Sequence, residues 1–249
     1  MAATQLKNAL NIQQKLKAEK ENEQLLKDLI KSNNELNDFA HIVSHDLKSP
    51  LRSMNALLNW MKEDLAEVLS TDNDNHLELL IKKVDKMDQL INGILEYASI
   101  DNVKNTVNRI DLNELLNDIV ETIYLPDNIT INIQESLPII SGDKFRLQQL
   151  FQNLLSNAIK YTDKENGKVG LRFHDVGNSW EFEIYDNGIG IAEKYFKKVF
   201  QIFQVLEEKE NSTGVGLSIV KKIVDFYNGK IWIKSKKNKG TSFYFTLPK

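Results

Sequence analysis

The chain has 249 residues, 41% hydrophobic and 27% charged, the balance of a soluble globular protein built as one large domain or two ordinary ones. Its 32 Lys+Arg against 35 Asp+Glu leave a net charge of -3, which argues against general nucleic-acid binding, because phosphate backbones call for a basic surface. With no cysteine, disulfides, thiolate catalysis and cysteine-ligated zinc are excluded, and a reducing cytoplasm is the expected location.

No apolar run is long enough to cross a bilayer. The first thirty or so residues are studded with Lys, Glu, Asn and Gln and make no signal peptide. Met1-Ala2-Ala3 is compatible with a native start and with an appended leader that replaces an upstream domain.

From about Gln5 to Ser99 the chain contains only Pro50 and Gly93 as helix breakers, so it reads as long helices in three pieces. Residues from about Leu6 to Leu36 carry an imperfect apolar seam, compatible with a weak coiled coil and with a solvated, frayed helix. Val43, Leu47, Leu51, Met54, Leu58, Met61, Leu65 and Val68 then alternate spacings of three and four, one stripe on one helix. The segment Ser70 to Asn75, rich in turn and N-cap residues, breaks that pattern. A second stripe follows at Leu77, Leu80, Val84, Met87, Ile91, Ile94 and Ala98. Two such helices form an antiparallel hairpin that cannot cover both stripes alone, so a homodimer closing a four-helix bundle is expected.

A short polar stretch, Asp101 to Asn108, marks the domain boundary. Beyond it the pattern alternates. Ile129–Ile133 reads as a strand and Lys144–Tyr161 as a helix; Val169–Phe173 and Trp180–Ile184 read as half-buried strands. A helix from Val215 to Tyr227 precedes closing strands around Ile231–Ile233 and Phe243–Phe245. The expected architecture is a helical hairpin followed by a two-layer α/β sandwich.

Three glycine clusters suggest a ligand site. Asp186-Asn187-Gly188-Ile189-Gly190 follows a strand, and its aspartate can accept a hydrogen bond from an amino group such as that of adenine. Thr213-Gly214-Val215-Gly216 opens a helix, where backbone N–H groups favour anions. Gly240-Thr241 starts the last strand. Any one of these alone would be an ordinary turn. On the Lys144–Tyr161 helix, however, Asn153, Asn157, Lys160 and Tyr161 share one face, a set that suits a magnesium-bound nucleotide.

The order NLLSNAIKYT, DNGIG, VFQIF, TGVGLSIV and GT resembles the N, G1, F, G2 and GT boxes of the histidine-kinase ATP-binding domain, a Bergerat-type fold also found in gyrase, Hsp90 and MutL-type ATPases. Upstream, Phe39 to Arg52 (FAHIVSHDLKSPLR) resembles the H box of the dimerisation and phosphoacceptor domain. The resemblance divides the chain into a signalling helix (1–35), a dimerisation and phosphotransfer domain (36–102) and a catalytic ATP-binding domain (108–249). It implies a sensor histidine kinase core that uses ATP and Mg2+, phosphorylates itself and passes the phosphate to a response-regulator receiver, with a sensor domain or partner acting through the first helix.

By the same resemblance, His45 is the phosphoacceptor and Asp46 orients or deprotonates it. Asn157 is the Mg2+ ligand, supported by Asn153; Lys160 meets the phosphates and Tyr161 lies near the base. Asp186 reads the adenine amino group, Gly188 and Gly190 shape the pocket, Gly214 and Gly216 bring backbone to the phosphates, and Thr241 lies at the adenine edge. The 101–108 linker is the natural hinge between His45 and the nucleotide.

Other classes fit less well. His41 and His45 have metal-ligand spacing but no third partner in the sequence. His41 is expected to pack or hydrogen-bond in the bundle, and His76 and His174 to lie on the surface. A hydrolysing ATPase of the gyrase or Hsp90 type needs a glutamate where this chain has Asn153, and an amide is no base. Serine kinases with the same nucleotide fold lack the hairpin, and a catalytically silent scaffold does not account for the intact motifs. The chain departs from the family in its second glycine box, in the short charged segment Gln204–Ser212 expected to form the lid, and in Ser49, where Thr or Asn is common. Ser49, shorter in reach and without an amide, is expected to give weak phosphatase activity.

Overall fold

The computed structural model describes residues 2–64, 71–100, 107–206 and 212–249. The two helices of the stalk are α1 (Ala2–Asp64) and α2 (Thr71–Ser99). The separate N-terminal and stalk helices expected from the pattern are one helix of 63 residues, which runs straight through Pro50. Its first half is rich in Lys, Glu and Gln, good helix formers, and no glycine interrupts it. The break expected over Ser70–Asn75 is a correction: from Thr71 onward those residues already belong to α2, because Thr, Asp and Asn suit a first helical turn as well as a loop.

The hairpin is antiparallel. Asn55 Nδ2 donates to Asp85 Oδ1 at 2.7 Å, and Ser99 Oγ lies 3.3 Å from His41 Nε2. The buried line of α1 is a heptad row, Asn37, Ser44 and Leu51, continued by partly buried Leu58; that of α2 is Leu77, Val84, Ile91 and Ala98. The other half of each stripe, including Leu47, Met54, Met61, Leu80 and Met87, remains exposed. One hairpin thus covers one seam and leaves a second.

The α/β part contains β1 (Asn108–Asp111), α3 (Leu112–Thr122), β2 (Ile129–Ile133), β3 (Ile139–Gly142), α4 (Lys144–Lys160), β4 (Gly167–Asp175), β5 (Ser179–Asp186), α5 (Gly216–Phe226), β6 (Ile231–Lys236) and β7 (Gly240–Pro248). A five-stranded sheet has the order β2-β4-β5-β7-β6, with β2 parallel to β4 and the other pairs antiparallel. β1 and β3 form a separate antiparallel pair. Period-two alternation sends Phe182 and Ile184 of β5 and Phe243, Phe245 and Leu247 of β7 into the core. Phe151 of α4 meets them edge-on, 5.6 Å from Phe182 and 5.7 Å from Phe245.

The expected strands and the helices α4 and α5 are all present, while β1, α3 and β3 had not been anticipated. α3 buries Leu112, Leu115, Leu116 and Ile119 at helical spacing, and its N-cap Asp111 accepts from Asn113 N at 2.8 Å. Most of the boundary expected over Asp101–Asn108 lies outside the described residues. On its near side, Ile100 is fully buried in the core of the α/β part.

Candidate functional site

The site forms where α4, the end of β5, the start of α5 and the β6–β7 hairpin converge on a cleft of about 380 Å³. That is within the range of small-molecule pockets, about 300–1,000 Å³. α4 reaches it because Leu147, Leu150, Phe151, Leu154, Leu155 and Ala158 bury one face. The opposite face is left with Asn153, Asn157, Lys160 and, just past the helix end, Tyr161, all of which line the cleft.

Asp186 is set by the strand. It falls two and four residues after buried Ile184 and Phe182, so the pleat turns it to the helix side of the sheet. Its Oδ1 accepts from Gly188 N at 2.8 Å and from Thr241 N at 3.2 Å. Burial pushes its pKa up to about 6, against the lowering effect of those two N–H groups. Oδ2 takes no hydrogen bond from a described residue and is available for an amine. The apolar walls beside it come from Ile189, Ile191, Val199 and Phe243.

Two glycines are required by space. A Cβ on Gly188 would collide with the carbonyl of Tyr161, which itself accepts from Ile189 N at 3.1 Å, so this close approach ties the turn after β5 to the end of α4. Gly214 holds φ at +71°, and a Cβ there would stand 2.7 Å from backbone atoms of Phe203 and Gln204, so only glycine fits this close approach ahead of α5. Gly190 and Gly216 also line the cleft, whereas Gly188 does not. Asn153 Oδ1 sits against Gly216, and its Nδ2 donates to Gln149 O at 2.9 Å, so no acid–base group stands at that position.

Sequence reasoning missed three supports. Ser235 Oγ accepts from Ile191 N at 2.7 Å, donates to Gly240 O at 2.8 Å and lies 3.0 Å from Thr241 Oγ1. It holds the cleft's edge at Thr241, its register partner across β6 and β7. Buried Ser212 lies 3.2 Å from the Tyr161 hydroxyl. Asn238 donates its N–H to Ile189 O at 2.6 Å. None of these has a motif of its own; only strand pairing and loop closure bring them in.

His45 and Asp46 are elsewhere. They project from α1, and no residue of α1 or α2 lines the cleft. The His45 side chain is 85% exposed, with Nδ1 3.2 Å from Asp46 Oδ1. A carboxylate at that distance favours the Nδ1–H tautomer and leaves the Nε2 lone pair outward. Four residues after Asp46, Pro50 offers no N–H to its carbonyl, which loosens the helical turn that displays the ring. His41 meets Ser99 as noted, and His76 and His174 are exposed.

Residues 142–249 match the family model of the histidine kinase-, DNA gyrase B- and HSP90-like ATPase, and residues 35–103 match that of the His Kinase A (phospho-acceptor) domain. Cyanobacterial phytochrome B of Nostoc sp. is 37% identical over 231 residues, covering 90% of this chain and 31% of that protein. The sensor protein kinase WalK of Staphylococcus aureus is 30% identical over 233 residues, covering 86% of this chain and 37% of that protein. The chain therefore spans about a third of the length of these relatives. Full-length ShkA in complex with AMPPNP superposes with a TM-score of 0.62 at 24% identity, over 85% of this chain and 45% of that one. Histidine kinase ThkA in complex with response regulator protein TrrA gives 0.57 at 22% identity, over 87% of this chain and 64% of that one. At these identities the likeness is one of fold. With an exposed histidine inside one matched region and a glycine-framed cleft inside the other, the chain belongs to the sensor histidine kinases, a phospho-acceptor hairpin joined to an ATPase-type α/β domain.

Proposed function

We propose that the chain is the catalytic core of an ATP-dependent histidine protein kinase, which phosphorylates its own His45 and passes the phosphoryl group to an aspartate on a response-regulator receiver. The carrying observation is one exposed imidazole, oriented by the adjacent carboxylate, in the same chain as a cleft whose chemistry suits ATP. Asp186 Oδ2 would accept from the adenine amino group, with Thr241 beside it. Lys160 and the N–H groups at the start of α5, next to Gly214 and Gly216, would receive the phosphates.

A magnesium ion bound with the nucleotide would neutralise charge on the transferring phosphates. The amide oxygen of Asn157 fits as its ligand. Among the described residues no cluster of three or more His, Cys, Asp or Glu would hold a metal by itself, so phosphate and water oxygens would complete the shell. In the transfer, the Nε2 lone pair of His45 attacks the γ-phosphorus and ADP leaves. Asp46 balances the positive charge that develops on the ring.

The two-seam hairpin supports a homodimer, since Leu47, Met54, Met61, Leu80 and Met87 stay exposed in one copy. The division at 1–35, 36–102 and 108–249, with the first segment as a signalling helix under a sensor or partner, is part of the same reading. Its cysteine-free composition suits the cytoplasm. No described helix is long and apolar enough to cross a membrane. The partner proposal draws support from ThkA, which was solved with a response regulator.

The test is incubation with γ-labelled ATP and magnesium. His45→Gln abolishes labelling and retains nucleotide binding, whereas Asn157→Ala loses labelling. Normal labelling of the His45 variant refutes the assignment.

A further inference from the structure

The end of α2 and the α/β domain are joined by contacts that the nucleotide site does not need. α2 has no basic residue in its last turn, where the helix carries its negative end and its orphan carbonyls. The cations come from the α/β domain. Lys222 of α5 donates to Tyr97 O at 2.8 Å, with its ammonium 4.3 Å from the centre of the Tyr97 ring. Arg146 of α4, itself buried, donates to Ile100 O through Nε at 2.9 Å and through a terminal nitrogen at 2.7 Å. Its guanidinium lies 4.0 Å from the centre of the Phe226 ring. Beside them Ile100 plugs into the α/β core, and Gly93 leaves room for Val215, the N-cap of α5; a Cβ there would stand 3.0 Å from the valine side chain.

This contact sits at a telling height. The pairs His41–Ser99 and Asn55–Asp85 set a register that places His45 level with Leu95, between Gly93 and Tyr97. The phosphate end of the cleft is thus docked at the level of the phosphoacceptor. Yet His45 is exposed and no stalk residue lines the cleft. The domain is held at the right height, but its own stalk's histidine is not part of the cleft.

We infer that Arg146 and Lys222 are positioning residues that park the ATP domain on the C-terminal end of α2, a state in which His45 is open to a receiver and closed to the chain's own nucleotide. This rests on the kinase reading. Both cations donate to main-chain carbonyls at the end of the stalk, and Lys222 also faces the Tyr97 ring, so the parked state depends on the two cations. Autophosphorylation requires the domain to leave this position, and the clamp sets the balance between parked and released chains.

The experiment compares the full chain with Lys222→Ala, Lys222→Arg and Gly93→Leu. Lys222 lies outside the cleft, and Gly93→Leu wedges the same contact from the stalk side while raising helix propensity. Hydrogen exchange is followed at the end of α2, with nucleotide affinity and the initial rate of labelling from ATP. Lys222→Ala speeds exchange there and raises the labelling rate about tenfold, the effect of losing one charge-assisted hydrogen bond, and Gly93→Leu moves both in the same direction. The nucleotide affinity of Lys222→Ala is unchanged, and Lys222→Arg restores the parent behaviour. Unchanged exchange, or a labelling rate that falls, overturns the clamp. A chain that shows the exchange effect but never labels from ATP overturns the kinase reading instead and leaves the clamp standing as a docking contact.

Discussion

At Asp186 a single carboxyl carries two demands. In the proposed function it accepts from a ligand amine, and it tolerates burial that raises its pKa to about 6. The ionised form is the better acceptor, so ATP affinity should fall as pH drops through about 6 and level off above it. Asp186→Asn should remove that pH dependence and weaken ATP binding by about tenfold to about a hundredfold, the range for a hydrogen bond to a charged group. Burial disfavours the charge, so the native carboxyl binds its proton more tightly than in the unfolded chain, and the ionised side chain opposes folding once pH passes the folded value. The Asn variant, still able to accept from Gly188 and Thr241, should unfold at no lower temperature at pH 8. Calorimetric titration and thermal melts check both statements. Ser235→Ala removes three polar contacts from the Thr241 corner and should weaken ATP binding by roughly tenfold with the fold intact. Asp186 and the Asn153–Tyr161 face were legible because spacing along one helix or one strand defines them. Ser235 was not, since it matters only through its pairing partner six residues away.

The elements follow the same division between local and distant causes. α4, α5 and the long strands announce themselves by periodicity, and their burial matches it. α3 carries an equally clear pattern, Leu112, Leu115, Leu116 and Ile119 behind an Asp cap, although the expected elements did not include it. β1 and β3 span four residues each and are held by pairing with each other, which no local pattern reveals. The run of α1 past Pro50 shows helix continuity overriding a breaker whose cost, about 3 kcal/mol, is spread over a long and otherwise favourable helix. Phe151 links α4 to two strands through edge contacts. Phe151→Ala should therefore cost about 3–5 kcal/mol in denaturant unfolding. Asp111→Ala, which removes one cap, should cost about 1 kcal/mol.

At the scale of the whole molecule, the stalk and the α/β domain solve different problems. The domain closes its own core around the phenylalanines of β5 and β7, whereas the hairpin finishes with Leu51, Val84 and Ile91 inside and a second apolar row outside. A second copy covers that row in the proposed dimer. Met54→Glu together with Leu80→Glu should convert a dimer to a monomer in sedimentation, because charge at both positions breaks the seam from each helix. The antiparallel hairpin and the sandwich were readable from the stripes and motifs. The docking of α5 against Gly93 and Tyr97 was not, because it joins residues more than a hundred positions apart. The central claim is that a nucleotide bound in the cleft delivers its terminal phosphate to the carboxylate-paired imidazole of His45 on the stalk. Mass-spectrometric mapping of the chain after incubation with ATP and magnesium, under alkaline conditions that preserve phosphohistidine, measures this directly. The account predicts a single acid-labile phosphate on His45; phosphate on another residue, or ATP hydrolysis with His45 unmodified, contradicts it.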